Sequence, residues 1–140
     1  AADFWHEQEL IAEAMNVGIA PVAREEYMSR STMYGHEYMG PDYAVPFDQE
    51  IPHKYGDGPF TLESRYITED VPIGCYMYQQ LARRYNVATP TIDAMIHLAN
   101  IMMGRDLTAT GYTLDHVGIG HMTPEQLQAW LREGVYTPAN

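Results

Sequence analysis

Two threonine–proline pairs, Thr89-Pro90 and Thr123-Pro124, each open a stretch of helical periodicity that closes on a glycine, at Gly104 and Gly134. That punctuation fixes the ends of two helices. Proline tolerates the first helical turn, where its missing N–H costs little, and glycine takes the left-handed backbone that stops a helix. Thr123-Pro124-Glu125-Gln126 also spells a capping box, with Gln126 at the third helical position. Leu127, Trp130 and Leu131 are its expected buried stripe. Between Pro90 and Gly104, Ile92, Met95, Ile96, Ala99, Met102 and Met103 recur at helical spacing. Apolar residues fall on more than one face of this helix, so it is expected at the centre of the molecule.

Similar signals run along the rest of the chain. Residues 4–16 read as a helix capped by Asp3, with Phe4, Ile11 and Met15 on one face and Asn16 and Gly18 as stop residues. After Pro21 a second helix is expected over 22–34, on Val22, Tyr27 and Met33. Asp70 reads as an N-cap with Pro72 in the following turn. Ile73, Met77, Gln80, Leu81 and Arg84 follow, and Asn86 is the expected terminator. Tyr112 to Gly118 reads as a short helical turn. Residues 35–64 differ in kind: four prolines and four glycines are interleaved with Tyr38, Tyr43, Phe47, Tyr55 and Phe60. An irregular stretch of that length points to a functional loop, and its aromatics need somewhere to pack. Apolar and polar residues do not alternate for long enough to make a strand, so the fold class is all-α, a helical bundle in a single domain over 1–140.

Charge narrows the function. The 140 residues carry 19 acidic and 8 basic groups, and Lys54 is the only lysine. Residues 1–70 hold 14 of the acids and 4 of the bases. Such a balance argues against nucleic acid, which needs clustered cations, and against anionic membrane surfaces. Apolar runs are too short to span a bilayer. The single cysteine, Cys75, excludes an internal disulfide and fits a reducing, cytoplasmic setting. The chain opens Ala1-Ala2-Asp3 without an initiator methionine, which fits a fragment or a processed product.

Common chemical motifs fall away on spacing. His6-Glu7 and His36-Glu37 begin a zinc-protease signature, but Leu10 and Gly40 stand where the second histidine belongs. His116 and His121 are separated by two glycines, a poor chelate, so no metal is expected. His97 reads as an ordinary helix residue. Gly118-Ile119-Gly120 lacks both a preceding strand and the final glycine of a dinucleotide fingerprint. Cys75 near a helix start reads as packing rather than as a nucleophile.

One cluster stands out. Arg65-Tyr66-Ile67-Thr68-Glu69-Asp70-Val71-Pro72 places an arginine just before two carboxylates at a helix start. It reads either as a cap with a surface ion pair or as a guanidinium fork for a substrate carboxylate, with an acid at hand to orient a histidine.

That cluster, preceded by Gly58-Pro59-Phe60-Thr61-Leu62-Glu63-Ser64, resembles a segment of the octopine/nopaline (opine) dehydrogenases. Further landmarks follow in order: Leu81-Ala82 with Tyr85 to Asp93, then Gly104-Arg105-Asp106, Gly111-Tyr112-Thr113-Leu114 and Gly118-Ile119. The resemblance covers 59–134 well and 4–18 weakly, and the loop at 35–56 has no counterpart in it. It implies the α-helical substrate domain of a two-domain NAD- or NADP-dependent oxidoreductase, of the class shared with 6-phosphogluconate dehydrogenase C-terminal domains. Such enzymes join the amine of an amino acid reductively to a 2-oxo acid. The same resemblance makes Arg65 the substrate-binding arginine. Asp70 becomes the catalytic acid orienting a histidine that lies outside this chain, with Tyr66, Thr68 and Glu69 around the pair. The NAD or NADP site is then expected in a preceding Rossmann domain, leaving no cofactor-binding residue here.

Two other readings remain open at this point: a non-catalytic acidic helical interaction domain, and the helical domain of a ketopantoate reductase-like dehydrogenase. A chain separated from its Rossmann partner is expected to expose apolar surface near the first helix and the Arg65–Asp70 segment. Such surface permits self-association as a homodimer.

Overall fold

A computed structural model of the chain describes residues 2–19 and 61–134, whose regular elements are all helical, with no strand among the described residues. The expected helix at 22–34 and nearly all of the 35–64 loop lie outside the described residues. In chain order the elements are α1 (Ala2–Ala14), α2 (Arg65–Thr68), a π turn (Asp70–Cys75), α3 (Tyr76–Arg84), α4 (Pro90–Met103), a 3-10 turn (Leu107–Thr110) and α5 (Pro124–Glu133).

Local chemistry sets the helix ends as expected. Asn16 and Asn86 stop α1 and α3 in the left-handed region, at φ of 53° and 56°. In each case the next N–H reaches back to close the last turn, Val17 to the Ala12 carbonyl and Val87 to that of Ala82. Gly104 and Gly134 end α4 and α5 in the same conformation. The capping box at Thr123 and Gln126 is formed in both directions. Three caps are not as expected, the first being Thr89, which stands at the N-cap position of α4 but makes no side-chain bond there. α1 begins at Ala2, which puts Asp3 inside its first turn. Ser64, not Asp70, caps the helix start in the middle of the chain, its hydroxyl accepting from the Tyr66 N–H.

Asp70 instead begins the π turn, and Pro72 accounts for it. A proline inside an α-helix removes one i→i−4 bond and crowds the carbonyl four residues back. Widening the turn relieves both, and the Tyr76 N–H donates to the Val71 carbonyl five residues back. Val71, Cys75, Gln79 and Ala82 form the buried face here, while Ile73, expected inside, is exposed. The loop at 111–112 closes on this turn, the Tyr112 N–H donating to the Pro72 carbonyl at 3.0 Å.

The core joins Ile11 and Met15 of α1, Val71 and Cys75 of the π turn, and Ala82 of α3 to Ile92, Ile96 and Ala99 of α4, with Leu107, Met122 and Leu127 around them. Phe4 meets Tyr78 edge to face at a centroid distance of 6.2 Å. α4 is not buried on all sides. Ile92 and Ile96 are enclosed, but Met95, Leu98, Ile101 and Met102 form an exposed apolar face, Ile101 at 63% exposure. α5 buries Leu127 but leaves Trp130 and Leu131 largely exposed. Its Gln128 and Arg132 reach the Met15 and Asn16 carbonyls at the C-terminal end of α1 instead.

Polar side chains of α3 fasten the long loop before α5. Gln80 donates to the Tyr112 carbonyl and accepts from the Leu114 N–H, and Arg84 donates to the Ile119 and Gly120 carbonyls at 2.7 and 2.6 Å. A five-residue turn over 114–118 sits where a short helical turn is expected.

Candidate functional site

The Arg65–Asp70 segment lies at the surface, on the short helix that leads into the π turn. Ser64 holds its start through two local bonds, accepting from the Tyr66 N–H and offering its carbonyl to the Thr68 hydroxyl at 3.2 Å. Arg65 is the first residue of α2, and 77% of its side chain is exposed. Its Nε lies 3.9 Å from a Glu69 carboxylate oxygen, one turn on. That separation is an ion pair without a hydrogen bond, and exposed pairs of this kind hold a side chain weakly. The guanidinium fork of Arg65 is thus placed but not committed.

Asp70 is exposed at the mouth of the π turn, one residue beyond the carboxylate that pairs with Arg65. Of the surrounding residues expected to matter, Tyr66 is exposed and Thr68 is half-buried with its hydroxyl turned to Ser64. Glu69 is the nearest partner of Arg65. The negative charge of Asp70 is felt by Cys75. Burial pushes that thiol above its ordinary range, and Asp70 pushes it further, against a backbone hydrogen bond that pulls it down. A buried thiol held protonated is a packing residue, not a nucleophile.

A second arginine reaches the turn just before Arg65. Arg105 follows the end of α4, and its Nη2 lies 3.2 Å from a carboxylate oxygen of Glu63, two residues before Arg65. Sequence spacing alone does not connect positions 63 and 105. The other described arginines include Arg84 and Arg132, whose guanidinium groups go to backbone carbonyls elsewhere.

Histidines contribute little chemistry among the described residues. The exposed His116 accepts the Thr113 N–H at Nδ1 and packs at a tilt on Tyr112. His97 is exposed on α4. Among the described residues no group of three or more histidine, cysteine or acidic side chains is arranged to hold a metal ion. No described helix is long and apolar enough to cross a membrane.

Apolar exposure near the segment comes from Leu62, Tyr66, Ile73 and Tyr112, but the face of α4 carries more of it than expected.

Comparison with known proteins bears on this geometry. The sequence profile of the "NAD/NADP octopine/nopaline dehydrogenase, alpha-helical domain" matches residues 1–103. The opine dehydrogenase of Arthrobacter sp. (strain 1C) is 38% identical over 66 residues, which are 47% of this chain and 18% of that protein. The aligned part of the chain thus spans less than a fifth of its relative. The profile takes in both α1 and the 35–56 loop, where the resemblance was weak or absent, and ends before Gly104-Arg105-Asp106.

Proposed function

This chain belongs to the NAD/NADP octopine/nopaline dehydrogenase alpha-helical domain family, and we propose that it is the substrate-binding helical domain of an NAD- or NADP-dependent opine dehydrogenase. The reaction class is the reductive condensation of an amino acid's amine with a 2-oxo acid. The proposal extends to an architecture of the 6-phosphogluconate dehydrogenase C-terminal class, to a Rossmann domain elsewhere in the enzyme, and to a cytoplasmic enzyme that can pair as a homodimer.

The observation that carries the reading is the placement of Arg65. It heads a helix with its fork exposed and loosely paired, five residues before an exposed carboxylate at Asp70. An arginine so placed takes a substrate carboxylate in two parallel hydrogen bonds and thereby fixes the orientation of the carbon beside it. Asp70 suits the support of a histidine contributed from outside these residues. A carboxylate on one ring nitrogen sets the tautomer and raises the basicity of the other, which suits proton transfer near neutrality.

The described residues do not fit a dinucleotide. They contain no strand leading through a glycine loop into a helix, the unit that seats a pyrophosphate on a helix N-terminus. The reading assigns to this chain the binding and orienting of the carbon substrates.

The test is an assay of the whole enzyme that carries this chain, following NADH and NADPH consumption with a panel of amino acids and 2-oxo acids. Turnover that requires both an amine and an oxo acid is expected. Oxidation of either nucleotide only with a simple alcohol or 2-hydroxy acid partner would overturn the reading.

A further inference from the structure

We propose that Arg105 is a second carboxylate-binding residue of the Arg65 site, taking the co-substrate's carboxylate that Arg65 does not hold. The inference rests on the opine dehydrogenase reading, and the observation beneath it is independent of that reading. The contact of 3.2 Å between Arg105 Nη2 and Glu63 brings a guanidinium from beyond α4 to the turn that leads into Arg65. Glu63 and Arg65 are two residues apart, so their Cα atoms lie within roughly 7 Å of each other.

Chemistry demands two cations there. An amino acid and a 2-oxo acid each bring a carboxylate, and condensation leaves the two joined through only three atoms, carbon, nitrogen and carbon. One planar fork satisfies one carboxylate bidentately and leaves the other unpaired. In an acidic chain, a second guanidinium held at the turn that leads into Arg65 adds to the local positive field that such a pair of anions needs. Both arginines rest on exposed glutamates, Arg65 on Glu69 and Arg105 on Glu63. Exposed pairs are easily exchanged, so a substrate carboxylate displaces Glu63 from Arg105 at little cost.

The experiment is steady-state kinetics on the whole enzyme with Arg105→Ala, Arg105→Lys and Glu63→Gln, reading KM for each co-substrate and the melting temperature. Arg105→Ala is expected to raise KM for one co-substrate by about 10- to 150-fold. KM for the other co-substrate stays near wild type. Arg105→Lys restores part of the loss, because charge returns without the fork. Glu63→Gln, which releases Arg105 without removing it, leaves that KM unchanged or lowers it. Unchanged KM values in Arg105→Ala overturn the assignment while leaving the functional reading intact. An equal rise in both KM values with a lower melting temperature also overturns it, as a folding effect. A wild-type enzyme that turns over no amine and oxo acid together overturns the reading and the assignment with it.

Discussion

Glu7 accepts the backbone N–H groups of Thr91 and Ile92, at 2.6 and 2.9 Å, and so caps a helix that begins more than eighty residues later. Thr89, the N-cap residue by position, makes no side-chain bond of its own there. The N–H groups at the start of α4 need an acceptor, and a buried carboxylate supplies it with charge matched to the positive end of the helix. The same contact joins α1 to α4 across the core.

Glu7→Ala is therefore expected to lower stability by about 1.5–3 kcal/mol, because a buried and a half-buried donor lose a charged acceptor together. Glu7→Gln keeps an acceptor oxygen and is expected to lose less. Thermal and denaturant unfolding of the two variants measures the difference, and equal, near-zero losses would refute the capping role.

Arg65→Ala in the whole enzyme is expected to weaken a carboxylate substrate about 10- to 150-fold, the value of a hydrogen bond to a charged group. Turnover at saturation should change less than apparent affinity. Asp70→Asn should act on turnover and on the pH profile, moving the apparent pKa of the supported histidine down. Since Ser64 is the residue that caps α2, Asp70→Asn should barely move the melting temperature. Kinetics intact in both variants would reduce the cluster to a surface ion pair.

Cys75 sets an alkaline limit on stability. Its folded pKa lies above the ordinary thiol range, through burial first and Asp70 second. A raised pKa contributes stability that is fully present below the unfolded thiol's pKa of about 8.5, and that contribution is lost as pH rises through the folded value. Melting temperature should thus fall with pH above that point, and less steeply in Cys75→Ala. Iodoacetamide should alkylate native Cys75 slowly, and faster in Asp70→Asn.

Gly111→Ala tests the join between the loop and the π turn. A Cβ at Gly111 would stand 2.6 Å from the Pro72 carbonyl oxygen and 2.7 Å from Tyr76 Cδ1. The backbone carbonyl cannot yield as a side-chain tip does, so a loss of about 1–3 kcal/mol is expected. A chemical-denaturation midpoint equal to wild type would show that the loop shifts freely.

The sequence alone determined where the helices α3, α4 and α5 stop, because their terminators are local. Asn86, Gly104 and Gly134 follow the last periodic residue of each helix and take the left-handed backbone there, and the Thr123–Gln126 box closes within one turn. Family resemblance was legible for a related reason, as short ordered segments around Arg65 and Thr89. Which face of a helix turns inward was not local. Ile73 and Trp130 have the spacing of buried residues, yet the chain turns the face of Val71, Cys75 and Gln79 inward instead of Ile73, and α5 meets α1 through polar contacts that leave Trp130 exposed. Nor did any spacing join Glu7 to Ile92 or Glu63 to Arg105. A helix end is settled by the torsions of a few neighbours, whereas a buried carboxylate or a paired arginine is settled by whichever distant backbone or charge the folded chain delivers to it.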